Sequence, residues 1–135
     1  MDITKALSIS AAGMDVQTTR LRVIAENLAN QDTMASKPGG QPYRRKTVSF
    51  ANSLDRASGT QTVHVSRQDR DRSEFPLKFD PSHPAADPSG YVRTPNVNSF
   101  IEVMDMKEAQ RSYNANLQVM QISRGMLTRA IEMLK

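Results

Sequence analysis

Residues 98–135 have the sequence NSFIEVMDMKEAQRSYNANLQVMQISRGMLTRAIEMLK, which contains no Pro and a single Gly. Apolar side chains recur through it at alternating steps of three and four, the spacing of a coiled-coil seam. The predicted seam positions are Val103, Met106, Gln110, Tyr113, Leu117, Met120, Arg124, Leu127, Ile131 and Leu134. Only Gln110 and Arg124 interrupt the apolar pattern. The spacing therefore predicts one long α-helix whose seam packs against a second helix.

This helix also has apolar residues on the side away from the seam. They are Val119, Ile122, Met126 and Met133. A helix that is apolar on two sides is normally buried on both, and the middle of the chain is too polar and too rich in Pro to cover the second side. We therefore expect neighbouring chains to cover it. The alternative is a small bundle in which the middle of the chain provides that cover.

A similar pattern predicts a first helix over residues 3–30. Its seam positions are Leu7, Ala11, Met14, Thr18, Leu21, Ala25 and Leu28, while Ile9, Val16 and Val23 recur on nearly the opposite side. The two helices are expected to pair antiparallel. The predicted intrachain seam consists of Leu7, Met14, Leu21, Leu28, Tyr113, Leu117, Met120 and Leu127, and the predicted apolar subunit interface of Ile9, Val16, Val23, Val119, Ile122 and Met126. Gly13 and Gly125 are expected at similar levels, either where the backbones approach closely or as tolerated surface glycines.

The segment between the helices has a different character, because it holds all seven Pro residues. Alternation at residues 61–67 and 75–79 indicates short strands, with Pro76 restricting the second to a sheet edge. Residues 43–50 are a third extended segment, and Asn98 or Ser99 is expected to cap the second helix. The predicted fold class is mainly α: an antiparallel coiled-coil pair of terminal helices, at residues 1–33 and 97–135, with a small β or irregular insert at residues 34–96.

Composition excludes several classes of function. The chain has no Cys, so it has neither a disulfide framework nor a thiolate nucleophile. No apolar run approaches the length of a membrane-spanning helix, and the start of the sequence does not resemble a cleaved secretory signal. Neither His64 nor His83 stands in a known catalytic or metal-binding motif. We therefore expect no enzymatic activity, no cofactor and no bound metal.

Basic residues give the chain a net charge of +4. One cluster is Arg44, Arg45 and Lys46, and few aromatic residues accompany it for stacking on bases. Solvated charges or salt bridges between subunits are the favoured interpretation, and a basic helical nucleic-acid-binding protein is the alternative.

Several motifs resemble those of the bacterial flagellar basal-body rod proteins, in particular the proximal-rod proteins of the FlgC type. They are SAAGM at residues 10–14, ENLAN at 26–30 with Thr33, PYRRK at 42–46, DP at 80–81, HPAAD at 83–87, GYV at 90–92, PNVN at 95–98 and RSYNAN at 111–116. The resemblance extends over nearly the whole chain. Gln31, Asp32, Ser82 and Asn114 depart from the family pattern and put only local details in doubt.

The resemblance implies a structural subunit of the proximal rod, part of a hollow helical drive shaft that also encloses the export channel. It implies copies of the chain and other rod proteins as partners, and a flagellar type III export apparatus that delivers the chain without cleavage of a signal peptide. The implied location is the basal body in the periplasmic space. Arg44, Arg45 and Lys46 are then expected to pair with neighbouring subunits, and the polar stripe of Lys107, Arg111, Asn114, Gln118 and Gln121 to face the channel.

Overall fold

The structure is a computed structural model that describes residues 2–135. The chain forms α1 (Ile3–Ala29), β1 (Lys46–Asp55), β2 (Thr60–Arg70), β3 (Leu77–Phe79), β4 (Tyr91–Arg93) and α2 (Ser99–Glu132). Both predicted terminal helices are therefore confirmed. Asn98 begins α2 as expected, because its Oδ1 accepts hydrogen bonds from the backbone N–H groups of Phe100 and Ile101 at 3.0 and 3.3 Å.

The predicted fold class, mainly α, is wrong. Helices hold 46% of the residues and strands hold 20%, in two small antiparallel sheets, so the fold is mixed α and β. The error lies in the insert, where β1 and β2 have 10 and 11 residues. Four residues join them, a connection that only antiparallel strands allow. The turn is closed by Gly59, whose positive φ of 64° and hydrogen bond to the carbonyl of Asp55 suit a residue without a side chain.

The chain divides into two compact units. Unit 1 contains the chain up to Leu21, Val48–Arg67 and Met106–Lys135. Within it α1 and α2 run antiparallel: Gly13 lies against Asn116, and Arg20 Nη2 lies 3.4 Å from Glu108 Oε2. The buried residues of these helix segments are mostly small, namely Ser10, Gly13, Val16, Ala109 and Ser123. Small side chains let two helix backbones approach closely, and that approach is the core of unit 1.

Unit 2 contains Arg22–Thr47 and Gln68–Asp105. Its sheet pairs β3 with β4 antiparallel, with Leu77 opposite Arg93, Lys78 opposite Val92 and Phe79 opposite Tyr91. Val23 and Ile24 at the end of α1 and Val92 on β4 are its buried hydrophobic residues. So few apolar residues make a thin core, and a cluster of buried polar side chains lies beside them.

Candidate assembly interface

Asn27, near the end of α1 in unit 2, is 1% exposed and uses its side-chain amide fully. Its Oδ1 accepts hydrogen bonds from the Lys46 N–H at 2.9 Å and the Tyr43 hydroxyl at 2.8 Å. Its Nδ2 donates to the Lys46 carbonyl at 2.9 Å and to Glu102 Oε2 at 3.3 Å. The amide thus pairs with both backbone groups of Lys46, as a neighbouring strand would. This arrangement fixes the start of β1 against α1.

Glu102 is the other centre of this polar cluster and is fully buried on the first turns of α2. The Arg45 guanidinium donates from Nε to Glu102 Oε1, and its terminal nitrogens lie 3.7 Å from Asp71 and 3.8 Å from Asp105. A buried carboxylate is tolerated only when a cation and hydrogen bonds compensate the lost hydration. Arg45 and Asn27 supply both.

The basic residues predicted to pair with other chains instead bind their own. Besides Arg45, Lys46 Nζ lies 2.8 Å from Glu26 Oε2. Arg44 donates to the carbonyls of Asp71 and Ser73 at 2.8 and 3.0 Å, and its guanidinium lies 4.1 Å from the centre of the Phe75 ring. The sequence showed the charges but not their partners, which lie far away in the chain. The assignment of these three residues to a subunit interface therefore has no support in the structure.

These contacts shift three pKa values. The hydrogen bond from Lys46 lowers the pKa of Glu26 below its usual value. The backbone N–H of Ser73 does most to lower the pKa of Asp71, with Arg45 adding a smaller effect. Burial raises the pKa of the Tyr43 phenol. Both carboxyl groups are therefore held in their charged form.

The predicted apolar interface residues divide into two groups. Val16 and Val23 are only 2% and 4% exposed, so they are covered within the chain and their assignment to contacts with other chains is wrong. Ile9, Val119, Ile122 and Met126 are exposed, and Ile122 and Met126 each leave half or more of their surface uncovered. For these four the assignment remains a prediction.

The predicted intrachain seam lies beside the buried surface and does not coincide with it. Leu7, Met14, Leu21, Leu28, Tyr113, Leu117 and Met120 are all half-buried, whereas Leu127 is exposed. The channel-facing candidates Lys107, Arg111, Asn114, Gln118 and Gln121 are all exposed along α2 in unit 1. They form a polar stripe open to solvent, and its role stays a prediction.

Sequence reasoning missed two exposed apolar surfaces in unit 2. Phe100 and Met104 lie one turn apart at the start of α2 and are 73% and 53% exposed. Leu77, Phe79 and Tyr91 are exposed on the β3–β4 sheet, where the rings of Phe79 and Tyr91 meet edge to face with centroids 5.3 Å apart. The alternation LKF was visible at residues 77–79, and i, i+4 spacing was visible at Phe100 and Met104. The sequence did not show that the rest of the chain leaves both of these apolar surfaces exposed.

In the described part of the chain, no helix combines the length and the apolar character needed to cross a membrane. Across residues 2–135, no three His, Asp or Glu side chains gather as a group that could hold a metal ion.

Comparison with known proteins shows what the chain is similar to. Residues 89–133 match the family described as flagellar basal body rod FlgEFG protein C-terminal. The flagellar basal-body rod protein FlgC of Agrobacterium fabrum is 47% identical over 133 residues, which cover 98% of this chain and 96% of that protein. FlgC of Bacillus subtilis is 39% identical, covering 94% and 95%, and FlgC of Escherichia coli O6:H1 is 36% identical, covering 97% of each.

These relatives cover the chain almost from end to end, so the earlier resemblance is confirmed. The alternative of a nucleic-acid-binding protein loses its basis, because Arg44, Arg45 and Lys46 are engaged within the chain. The relatives are structural proteins of the flagellar basal body and not enzymes. By sequence over its whole length, the chain belongs to the FlgC family of flagellar basal-body rod proteins and is a structural subunit of that rod.

Proposed function

We propose that the chain builds the proximal rod by packing against copies of itself and against other rod proteins in a hollow helical shaft. In this proposal residues 1–33 and 97–135 form the inner layer, and residues 34–96 form the outer part. The flagellar type III export apparatus delivers the chain to the periplasmic space, where it assembles. The polar stripe from Lys107 to Gln121 lines the channel through which later subunits pass.

The exposed apolar surface of α2 in unit 1 is the observation that carries this proposal. Val119, Ile122 and Met126 lie at steps of three and four, so they share one side of the helix. All three are exposed, with Ile122 at 64%. A contiguous exposed apolar surface of this kind marks a protein interaction site. Repeated, non-symmetric contacts between copies generate a helical assembly.

Substitution of Ile122 tests the proposal. Replacing Ile122 by Asp places a charge on this surface without altering a buried residue, so we expect the chain to be made and exported but not incorporated into rods. Charge at the centre of an apolar interface costs several kcal/mol of binding free energy. Incorporation is measured by immunoblotting purified basal bodies, and export by immunoblotting the periplasmic and culture fractions.

The matched control is Ile122→Leu, which keeps the apolar surface and nearly the same volume. It is expected to support normal rods and swimming. Normal incorporation of the Ile122→Asp chain would show that this side of α2 faces solvent in the assembled rod.

A further inference from the structure

A cleft of about 160 Å³ lies in unit 2 beside the β3–β4 sheet. Its lining includes Ala35, Gly40, Leu77, Ala85, Tyr91 and Arg93. Two of the larger lining residues are themselves uncovered, since Leu77 is 65% exposed and Tyr91 is 43% exposed. The cleft therefore combines small side chains with an exposed apolar margin.

The size of the cleft suits one aromatic side chain. A cavity of about 150 Å³ holds a benzene ring, so this space fits a phenyl group. The small residues are packed tightly: a Cβ added at Gly40 would lie 2.9 Å from the Cβ of Ala35. Any side chain larger than Gly at residue 40 would therefore disturb this margin of the cleft.

An aromatic side chain that lacks a partner is present in the same unit. Phe100 is 73% exposed, so it does not fill the cleft of its own chain. An aromatic side chain buries about 150–250 Å² when it enters an interface and is a frequent anchor there. Met104 follows it by one turn and is 53% exposed, which widens the apolar surface around Phe100.

The charges of the two surfaces are complementary. Phe100 lies in the first turn of α2, where the aligned peptide dipoles place a partial positive charge. Asp87, which lines the cleft, carries a carboxylate of the opposite sign. Its Oδ1 accepts the N–H groups of Ser89 and Tyr91, both at 2.9 Å, which fixes its position. The Arg93 guanidinium adds a cation that favours the face of an aromatic ring.

We propose that Phe100 of one copy inserts into this cleft of the next copy. The proposal rests on the proposed function, since it requires copies of the chain to meet in the rod. The contact joins two different surfaces, so every copy offers both a Phe100 and a cleft. Contacts of this head-to-tail kind continue from copy to copy and build a ring or a helix.

Cysteine cross-linking tests the contact. Because the native sequence contains no Cys, only the introduced cysteines of the chain can react. Ser99→Cys and Ser89→Cys flank Phe100 and the cleft while leaving both intact. A chain that carries both cysteines is expressed in cells that build basal bodies. The basal bodies are treated with a short bismaleimide, and the cross-linked products are detected by immunoblotting. We expect dimers and higher multimers, because each copy is linked to two neighbours. A mixture of the two single-cysteine chains should give dimers.

Three further variants make the result specific. Phe100→Ala removes the aromatic anchor and Ala85→Leu fills the cleft, so each should lower the cross-linked fraction on the order of tenfold. Phe100→Tyr, which keeps a six-membered ring, should retain it. Ser53→Cys on the exposed hairpin, combined with Ser99→Cys, is the control pair and should give no multimers.

The outcomes separate this inference from the proposed function. Basal bodies that contain the cysteine-pair chain but yield no multimers would overturn the inference alone, as would multimers that persist in Phe100→Ala. A cross-link to a rod protein of different mass would also overturn it, because that protein would then be the occupant of the cleft. Absence of the unsubstituted chain from basal bodies would overturn the proposed function itself.

Discussion

Two polar side chains of unit 2, Asn27 and Glu102, are as deeply buried as its apolar core residues. Asn27 and Glu102 hydrogen-bond to each other and to the residues at the start of β1, and they lie deeper than most of the leucines and isoleucines of the chain. A polar group pays a full desolvation penalty when it loses its partner in such a site. The position of Glu102 therefore depends on Arg45, which pairs with it and is itself 24% exposed.

Replacing Arg45 by Met should destabilise the chain strongly. The change leaves the Glu102 carboxylate buried without its cation, and removing one partner of a buried ion pair costs about 3–5 kcal/mol. Pairing it with Glu102→Met should recover most of that loss, because no unpaired charge then remains. The free energy of unfolding in urea, measured for both single variants and the double variant, gives the coupling. Additive losses would mean that the pair contributes little.

The two helix glycines should respond in opposite ways to substitution. A Cβ on Gly13 would lie 2.7 Å from Asn116 Nδ2 and 3.0 Å from its Cγ, whereas a Cβ on Gly125 meets nothing within 4 Å. Alanine is favoured over glycine inside a helix by about 1 kcal/mol. Gly125→Ala should therefore raise the melting temperature of the isolated chain, and Gly13→Ala should not.

A substitution of Asn116 tests whether its close approach to Gly13 is what excludes alanine there. Asn116 Nδ2 also donates to the Ser112 carbonyl at 3.1 Å, which keeps it in place beside Gly13. If the close approach is what requires glycine, adding Asn116→Ala should make Gly13→Ala tolerable. Equal gains from both glycine substitutions would contradict the close approach. They would instead support the alternative drawn from the sequence, that both are tolerated surface glycines.

At the scale of the helices, the sequence predicted that α2 forms but not which of its positions are most buried. Met106, Tyr113 and Met120 of the predicted seam are half-buried. Glu102, Ala109 and Ser123, each one residue before another predicted seam position, are buried. An apolar pattern does not mark these positions, because their residues are small or polar. Close helix packing requires small side chains at Ala109 and Ser123. The hydrogen bonds that satisfy Glu102 come from residues distant in sequence.

On α1 the predicted seam was rotated away from the buried surface. The predicted seam follows half-buried leucines, whereas Ser10, Gly13 and Asn27 are the residues that are buried. Val16 and Val23 are buried on the same side as those residues and were therefore wrongly assigned to contacts with other chains. A pattern that counts only apolar residues cannot find a surface built largely of small ones.

A large residue at Ala109 should separate the helices of unit 1. Ala109 has no exposed surface, so Ala109→Leu must force the backbones apart or strain side chains, at a cost of about 1–3 kcal/mol. Gln110→Leu adds an apolar side chain at the adjacent, exposed position and should change stability little. Urea unfolding compares the two. A gain in stability from Gln110→Leu, with no loss from Ala109→Leu, would instead support the predicted seam.

At the scale of the whole molecule, the identity of the family was easier to predict than the fold class. Motifs such as residues 26–30 and 83–87 pointed to the rod proteins directly. The length of the β1–β2 hairpin escaped notice because most of its residues are exposed and polar, so only Val63 and Val65 gave a clear alternation. Strands that pair mainly through backbone hydrogen bonds leave a weak signal in side-chain hydrophobicity.

Acid should weaken the fold through Glu26 and Asp71. Their pKa values lie below 4.5 and 3.8, the ordinary values for these groups, so the unfolded chain takes up protons before the folded chain does. The stabilisation is present above about pH 4.5 and is lost as the pH falls through the lower, folded values. We expect the free energy of unfolding, measured by urea titration at successive pH values, to decline in this range.

A pair of variants with the same charge change identifies the source of the acid sensitivity. Lys46→Gln removes the ammonium group that lies 2.8 Å from Glu26, so the pKa of Glu26 should return toward 4.5 and part of the decline should disappear. Arg72→Gln also removes one positive charge, but neither the depressed pKa of Glu26 nor that of Asp71 depends on Arg72. It should keep the pH dependence of the unsubstituted chain. If both variants lose it equally, the net charge of the molecule governs its response to acid and the individual ion pairs do not.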